Sequence, residues 1–387
     1  MSEKMMTMKK ILIISGHYLP GYKDGGPVRT IKNLTDRLGR EYEFVMLTED
    51  RDAGDDKPYD LPIHREVMQG LVKVYYATHS EMNDLDFLEG FIKEKGEGAE
   101  KLYLTGCFGD YAQKVIRLKK ANRFPQNLII AAFGLFTPGA FHIKYPKKLA
   151  FMTVMRLLGM FDQVEWAATS IEEVGDIHKR VGKKAICHIA EDLPRVQEEI
   201  ALSKASEAGS LRIIFLSRIS RKKNLTQAAR ILAEVKGDVV FDIYGNEEDL
   251  EYTEECLQEL RKLPDNIHWE MKGEAPAEEV LSLFGRYDVF LFPTMAENFG
   301  HVILEAMSGG CIPVISDKTP WTDEKLGFHG KAIPLEDEAA FTQYIQSLVD
   351  TESEALQKLR EETYAYAGSY IEENAKVAEQ AYREMLG

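Results

Sequence analysis

Short apolar runs alternate with amphipathic stretches along the first half of the chain. Lys10–Ser15 is a β-branched run between a charged flank and Gly16, which is typical of a buried parallel strand. Val28–Leu38 has apolar residues every three to four positions, which predicts an amphipathic helix. Further predicted strands are Glu43–Leu47, Leu71–Tyr76, Lys101–Leu104 and Leu128–Ala132, and further predicted helices are Met82–Lys95 and Tyr111–Lys120. This alternation predicts a parallel sheet covered on both faces.

The same alternation starts again after a polar stretch, Leu193–Gly209. The predicted strands are Leu211–Leu216, Val239–Tyr244, Ile267–Met271, Val289–Phe292 and Cys311–Ser316. The predicted helices are Thr226–Val235, Asp249–Leu263, Ala277–Phe284 and His301–Ser308, followed by an acidic helical tail from Glu338. We therefore expect two α/β domains, at 1–192 and 211–368, a linker at 193–210, and a C-terminal helix at 369–387 that returns to the first domain. In open α/β sheets ligands lie beyond the carboxyl ends of the strands, so the loops there are the candidate functional segments.

The composition and charge of the chain argue against several classes of protein. The chain has 387 residues, 44% hydrophobic and 29% charged, which is ordinary for globular domains and argues against disorder. Its net charge of −15 argues against a nucleic-acid binder. Its four cysteines lie far apart, and neither a membrane-length apolar run nor a signal peptide is evident, so we expect a cytoplasmic protein.

The segment from Pro293 to Asp317 carries the most chemical information. Glu297 is predicted in a loop at the end of a strand, and Glu305 one to two turns into the next helix. Asn298 or Gly300 would lie near the start of that helix, where free N–H groups and the helix dipole favour a phosphate. A phosphate flanked by carboxylates suits a nucleotide sugar, because carboxylates accept hydrogen bonds from sugar hydroxyls. The alternative is that Glu297 is a loop charge and Glu305 a solvated helix residue, although Glu305 has mostly apolar neighbours in the sequence and would need a partner.

A second cluster of charge follows the strand Leu211–Leu216. Arg218 and Lys223 lie five residues apart in the loop after this strand and could contact a diphosphate, with Arg221 and Lys222 as nearby alternatives. A solvated basic turn before a helix explains the same residues equally well.

Taken in order, these motifs resemble those of the retaining glycosyltransferases of family 4. The resemblance rests on Arg218-x4-Lys223, on Glu297-x7-Glu305, and on the Gly-Gly-Cys-Ile-Pro-Val run that begins at Gly309. It implies the GT-B fold, in which two Rossmann-like domains with parallel sheets face each other across a cleft that binds the donor. It also implies transfer of a sugar from a nucleoside diphosphate, with a UDP- or GDP-sugar as co-substrate and neither a metal nor another cofactor.

The resemblance also implies a role for each matching residue. Arg218 and Lys223 would neutralise the donor diphosphate, Glu305 would bind the ribose, and Glu297 would bind the transferred sugar. Backbone N–H groups of Asn298, Phe299 and Gly300 would hold the distal phosphate and the sugar. In the first domain, Gly25 and Gly26 resemble the glycine-rich loop of the family and would approach the phosphates.

The acceptor side is less specific. His17 and His142 are candidate acceptor contacts, and a structural loop histidine is the alternative for His17. Phe133 occupies a position where related enzymes often have a basic residue, which keeps open a catalytically silent subunit that only binds the sugar nucleotide. Asp84-Leu-Asp86 has the form of a metal-binding Asp-x-Asp, but its amphipathic surroundings favour a solvated helix face.

The region 144–161 pairs basic residues with a broadly apolar helix. A buried helix is the favoured interpretation, and peripheral contact with an anionic membrane at its inner face is the alternative. From the habits of the family, we expect the acceptor to be a growing surface glycan or a lipid-linked precursor. A GT-B phosphorylase is a further alternative, for which the sequence specifies no pyridoxal lysine.

Overall fold

The computed structural model describes residues 8–137, 140–141, 145–247, 249–276, 279–297 and 299–387. Contacts divide the chain into two compact units. The first unit runs to Pro194 and also includes Asn374–Gly387, and the second is Arg195–Glu373. Each unit is built around a sheet of its own.

The first unit contains an eight-stranded sheet in the order β3-β4-β2-β1-β5-β6-β7-β8. Its strands are β1 (Lys9–Ile14), β2 (Tyr42–Glu49), β3 (Glu66–Gln69), β4 (Val72–Ala77), β5 (Ala99–Thr105), β6 (Asn127–Ala131), β7 (Val164–Ala168) and β8 (Ile186–Ile189). Its helices are α1 (Gly26–Leu38), α2 (His79–Met82), α3 (Leu85–Lys95), α4 (Asp110–Lys120), α5 (Tyr145–Leu157) and α6 (Ile171–Arg180). All neighbouring strands are parallel except β3, which is antiparallel to β4.

The second unit contains a six-stranded parallel sheet in the order β11-β10-β9-β12-β13-β14. Its strands are β9 (Ser210–Leu216), β10 (Asp238–Tyr244), β11 (Ile267–Gly273), β12 (Val289–Phe292), β13 (Ile312–Ser316) and β14 (Lys331–Ile333). Its helices are α7 (Leu225–Leu232), α8 (Leu250–Leu260), α9 (Val280–Phe284), α10 (His301–Ser308), α11 (Glu338–Val349) and the first part of α12 (Ser353–Leu386).

Both faces of the first sheet are buried, as the continuous apolar runs predict. On β1, Ile11 and Ile13 pack into one core and Leu12 and Ile14 into a second core on the other face. A strand that alternates between two apolar layers must itself be apolar throughout, which is why β1 has no polar face. The predicted class, two α/β domains with parallel sheets, is confirmed.

Two local predictions differ from the structure. The helix predicted over Met82–Lys95 is broken, because Asp84 accepts a hydrogen bond from the Phe87 N–H and caps a new helix, α3. Asp84 is therefore a capping residue rather than half of an Asp-x-Asp metal site. The tail is not a separate helix from position 369, since α12 continues from Ser353 to Leu386. Within the described ranges no group of three or more His, Cys, Asp or Glu side chains is placed to bind a metal ion.

The order of the strands determines which loops lie at the switch point of each sheet. In the second sheet β9 lies between β10 and β12, so the chain reverses its direction of travel across the sheet at the β9–β12 pair. In the first sheet the same reversal occurs at the β1–β5 pair. Ligands of doubly wound sheets bind at such switch points, beyond the carboxyl ends of the strands. The loops after β1, β9 and β12 contain most of the predicted site residues, the exceptions being Glu305 on α10 and His142.

None of the described helices is both long enough and apolar enough to cross a membrane.

Candidate active site

Two loops meet at the switch point of the second sheet. After β9, residues Arg221–Lys223 form a single 3-10 turn, and Asn224 then adopts a left-handed conformation with φ of 63°. The Asn224 side-chain amide donates a hydrogen bond to the carbonyl of Pro293, at 3.0 Å. The carbonyl of Lys222 accepts a hydrogen bond from the Met295 N–H, at 2.8 Å. The loop after β9 is thus fixed against the loop after β12.

Lys223 and Glu297 are brought together by these loops, although they are 74 residues apart in the chain. Their side chains are only 11% and 12% exposed, and the Lys223 Nζ donates a hydrogen bond to the Glu297 Oε1. The ammonium also lies 5.2 Å from the centre of the Phe292 ring. Burial lowers the pKa of Lys223, and the Glu297 carboxylate opposes that shift. The site therefore holds a desolvated cation whose charge is offset by one carboxylate.

The other basic residues of the cluster differ in their surroundings. Arg218 is exposed. Its positive charge repels that of Lys223 and contributes to lowering the pKa of Lys223. Arg221 instead donates two hydrogen bonds to Glu255 on α8, at 2.8 and 2.6 Å. Arg221 thus forms a contact away from Glu297, whereas the positive charges of Lys222 and Arg218 both act on Lys223.

The start of α10 is rigidly formed. Gly300 precedes the helix with φ of 78°, and a Cβ atom there would lie 2.9 Å from Ile303 Cδ1 and 3.3 Å from Trp321 Nε1. The buried Trp321 indole donates a hydrogen bond to the Phe299 carbonyl, at 2.7 Å. Glycine at 300 is thus required both by its backbone conformation and by the close contacts. Asn298, the remaining predicted residue of this segment, lies outside the described residues.

Glu305 lies in the second turn of α10 and is 8% exposed, so it is not a solvated helix residue. It lines a small cavity together with Arg195, His301 and Ser308. This buried position agrees with the prediction that Glu305 needs a partner, because a buried carboxylate is stable only beside hydrogen-bond donors or a cation.

In the first unit, Gly25 and Gly26 form the start of α1. Gly25 has φ of 69°, and at either position an added Cβ would meet no atom within 4 Å. Asp52 fixes the preceding loop by accepting hydrogen bonds from the N–H groups of Tyr22 and Lys23, at 2.9 and 3.2 Å. The helix start therefore faces open space, while the loop before it is held in place.

His17, His142 and Phe133 are the residues that the sequence analysis connected with an acceptor. His17 Nδ1 lies 3.3 Å from the carbonyl oxygen of Arg51, a contact that the structural alternative predicts. His142 lies outside the described residues. Phe133 has φ of 46°, a conformation disfavoured for its side chain, and the next residue, Gly134, donates its N–H to the buried Glu173 carboxylate.

The chain resembles known proteins in sequence over its second unit and in fold over nearly its whole length. Residues 196–367, nearly the whole second unit, match the model of the family glycosyl transferases group 1. Sucrose-phosphate synthase from Thermosynechococcus elongatus is similar in structure, with a TM-score of 0.67, 16% identity, and 97% of this chain and 99% of that chain covered. HepE from Anabaena, solved with UDP and glucose, has a TM-score of 0.70 and 14% identity, over 98% of this chain and 99% of that chain. The chain has the GT-B fold. No curated protein matches it by sequence.

Within this GT-B chain, sequence reasoning identified Lys223, Glu297, Gly300 and Glu305, but not the residues that fix them. Asn224 ties the loop after β9 to the loop after β12, Trp321 holds the start of α10, and Asp52 holds the loop before α1. A left-handed Asn is a weak signal in a sequence, since Asn is common in ordinary turns. Asp52 lies 30 residues from Tyr22, and only the pairing of β1 with β2 brings them together.

Proposed function

We propose that the protein is a metal-independent retaining glycosyltransferase. It transfers a sugar from a nucleoside-diphosphate sugar to an acceptor hydroxyl, in the assembly of a surface glycan or a glycolipid. The observation that carries this proposal is the contact of Lys223 with Glu297 at the switch point of the second sheet, beside the start of α10. The match of residues 196–367 to group 1 glycosyltransferases supports it.

The charges of the site fit a diphosphate. In the ligand-free protein, Glu297 offsets the charge of the buried Lys223. A donor phosphate would replace Glu297 as the partner of Lys223, and Arg218 would contribute a second cation. Glu297 would then be free to accept hydrogen bonds from hydroxyls of the transferred sugar. Exchange of one anion for another keeps the buried ammonium paired throughout.

Departure of the nucleotide sets the main electrostatic demand on the enzyme. Negative charge grows on the diphosphate as the glycosidic bond breaks, and preorganised cations and N–H groups stabilise that charge. We assign this role to Lys223, Arg218 and the backbone around Gly300. In enzymes that the chain resembles, the leaving phosphate itself takes the proton of the acceptor, on the face of the sugar that the nucleotide leaves. This route retains the anomeric configuration and needs no separate side-chain base.

The donor is the first quantity to test. HepE was solved with UDP and glucose, which makes UDP-glucose the first candidate for this chain as well. We would measure the melting temperature with UDP-, GDP- and ADP-sugars, because a ligand that binds only the folded state raises it. Product formed with the preferred donor would then be examined by NMR for the anomeric configuration. An inverted product would exclude the retaining mechanism.

The alternative is a silent subunit that binds the nucleotide sugar without transferring it. Phe133 supports this alternative, since it places an aromatic ring where related enzymes often have a basic residue. Slow hydrolysis of the donor distinguishes the two, because a transferase that activates the leaving group also transfers its sugar to water. A protein that binds the donor tightly but never hydrolyses or transfers it would be the silent subunit.

We also propose that α5 contacts a membrane surface. Met152 and Met155 of α5 are buried, but Val154, Leu157 and Leu158 at and just beyond its end are 53%, 82% and 61% exposed. A helix with this much exposed apolar surface is not simply a buried helix, as the sequence favoured. Lys147 and Arg156 are polar neighbours on the same segment, and cationic residues beside apolar ones suit an anionic lipid surface.

A further inference from the structure

A cavity of about 290 Å³ lies in the first unit, between α3 and the edge of the sheet. Most of its wall is carbon, contributed by Leu47 on β2, Tyr75 on β4, and Phe87 and Phe91 on successive turns of α3. The rings of Tyr75 and Phe91 meet edge to face, with their centres 5.5 Å apart. Engineered apolar cavities of about 150 Å³ already bind benzene, so this space is large enough for part of an apolar ligand.

Glycine forms one part of the wall. Gly90 lies in the middle of α3 and lines the cavity, and a Cβ atom there would meet no atom within 4 Å. Glycine within a helix is disfavoured relative to alanine, because it loses more conformational freedom on folding. Packing in the ligand-free protein does not require a glycine at this position. Its effect is to keep the wall of the cavity open.

Polar groups of the wall are already paired within the protein. His64 Nε2 lies 3.0 Å from the Glu81 carboxylate, and the Tyr75 hydroxyl donates to Glu66 at 3.1 Å. The Tyr76 hydroxyl donates to the Leu19 carbonyl. Glu94 forms an ion pair with Lys95, at 2.7 Å. A sugar ring needs donors and acceptors directed at its hydroxyls, whereas a hydrocarbon chain needs only apolar surface.

We propose that this cavity binds the hydrocarbon chain of an amphipathic acceptor, either an acyl or an isoprenoid chain. The identification of the ligand as an acceptor rests on the proposed function, but the binding of hydrocarbon does not. The chain would occupy the space between Phe87, Phe91 and Tyr75, with the rest of the molecule outside. Its apolar surface would leave water on binding, which is the source of the affinity.

Two glucosides that differ only in their chain test the proposal. We would add n-octyl-β-D-glucoside, below its micelle-forming concentration, or methyl-β-D-glucoside to the full-length protein and record saturation-transfer NMR. The octyl compound should bind at least tenfold more tightly, with saturation strongest on its alkyl protons. Equal affinities, or saturation only on the sugar protons, would overturn the proposal.

Variants locate the binding. Gly90→Leu places a side chain at the wall and should reduce octyl-glucoside binding at least tenfold, and Gly90→Met fills the same space with a more flexible chain. Gly175→Leu is the matched control, since Gly175 lies in α6, outside the lining, and also has no atom within 4 Å of an added Cβ. Circular dichroism and melting curves would establish that each variant is folded. Unchanged binding by a folded Gly90→Leu or Gly90→Met protein would place the chain elsewhere, for example on α5, and overturn the proposal.

These results can be separated from those on the proposed function. Octyl-glucoside binding with no response to nucleotide sugars would support the cavity site and refute the transferase. A response to nucleotide sugars, together with equal affinities for the two glucosides, would support the transferase and refute the cavity site.

Discussion

At the scale of single residues, Lys223 is a buried lysine of the second unit. A lysine loses hydration energy when it is buried, which is why its pKa is lowered here. Such a position is costly for folding alone, and an apolar residue of similar size would often serve stability as well. We explain its position beside Glu297, beyond the ends of two adjacent strands, by the proposed role of its positive charge in binding a diphosphate.

Replacement of Lys223 by alanine should therefore reduce turnover by two to three orders of magnitude. The reason is the loss of one preorganised charge that stabilises the leaving diphosphate, a contact that typically contributes about 3–4 kcal/mol to lowering the barrier. Donor hydrolysis or transfer would be measured at saturating donor. Lys222→Ala is the matched control, because Lys222 is adjacent but exposed. Near-normal turnover of Lys223→Ala, with a large loss in Lys222→Ala, would assign the role to Lys222.

The two glutamates should have separable effects on binding. Glu305→Gln should weaken binding of both the free nucleoside diphosphate and the nucleotide sugar, because both ligands contain the ribose. Glu297→Gln should not weaken binding of the free nucleotide, because its diphosphate no longer competes with a carboxylate for Lys223, and should weaken only binding of the nucleotide sugar. Each lost charged hydrogen bond should cost about 1.5–3 kcal/mol. Calorimetric titration of both variants with both ligands gives the four affinities, and equal weakening of the free nucleotide by both would show that the donor orientation is wrong.

At the scale of elements, the start of α10 depends on Gly300. An alanine there must adopt a positive φ, which costs about 1–3 kcal/mol, and its Cβ would crowd Ile303 and Trp321. Gly300→Ala should lower the melting temperature. It should also weaken binding of the donor, since the N–H groups at the helix start would move. Gly175→Ala, within α6 and with open space around it, should instead raise stability by about 0.5–1 kcal/mol. Unimpaired donor binding by Gly300→Ala would remove the helix start from the phosphate site.

The exposed part of α5 gives a prediction for membranes. Full-length protein should sediment with vesicles that contain anionic lipid, and bind much less to vesicles of neutral lipid alone. A Leu157→Asp, Leu158→Asp variant should lose this binding, because both side chains are more than half exposed. Leu250→Asp is the control, since Leu250 is 72% exposed in the second unit. Equal sedimentation with neutral and anionic vesicles would contradict the proposal.

At the scale of the whole molecule, the alternation of strands and helices was predictable and the contacts between loops were not. The apolar runs at β1, β9 and β12 gave strands within one or two residues of those observed, because buried parallel strands are continuous in sequence. The short strands β3, β7, β8 and β14 were missed, since three to five residues carry little periodic signal. The Lys223–Glu297 contact depends on β9 being the neighbour of β12, and strand order is not written in any local pattern. The resemblance implied only that the two residues contact the same donor, and the order of the strands explains why they lie side by side.

Metal independence is the prediction that concerns the whole reaction. In the proposed mechanism, Arg218, Lys223 and the start of α10 would supply positive charge and N–H donors in place of a divalent cation. Donor hydrolysis and transfer should therefore continue after dialysis against EDTA and in its presence. Affinity for the nucleoside diphosphate, measured by calorimetry under the same conditions, should be equally unaffected, which separates binding from turnover. In Lys223→Ala, EDTA should again change nothing, because no metal substitutes for the lost ammonium. Activity that disappears on chelation and returns with Mn²⁺ or Mg²⁺ would show that the charge on the departing diphosphate is offset by a metal ion instead.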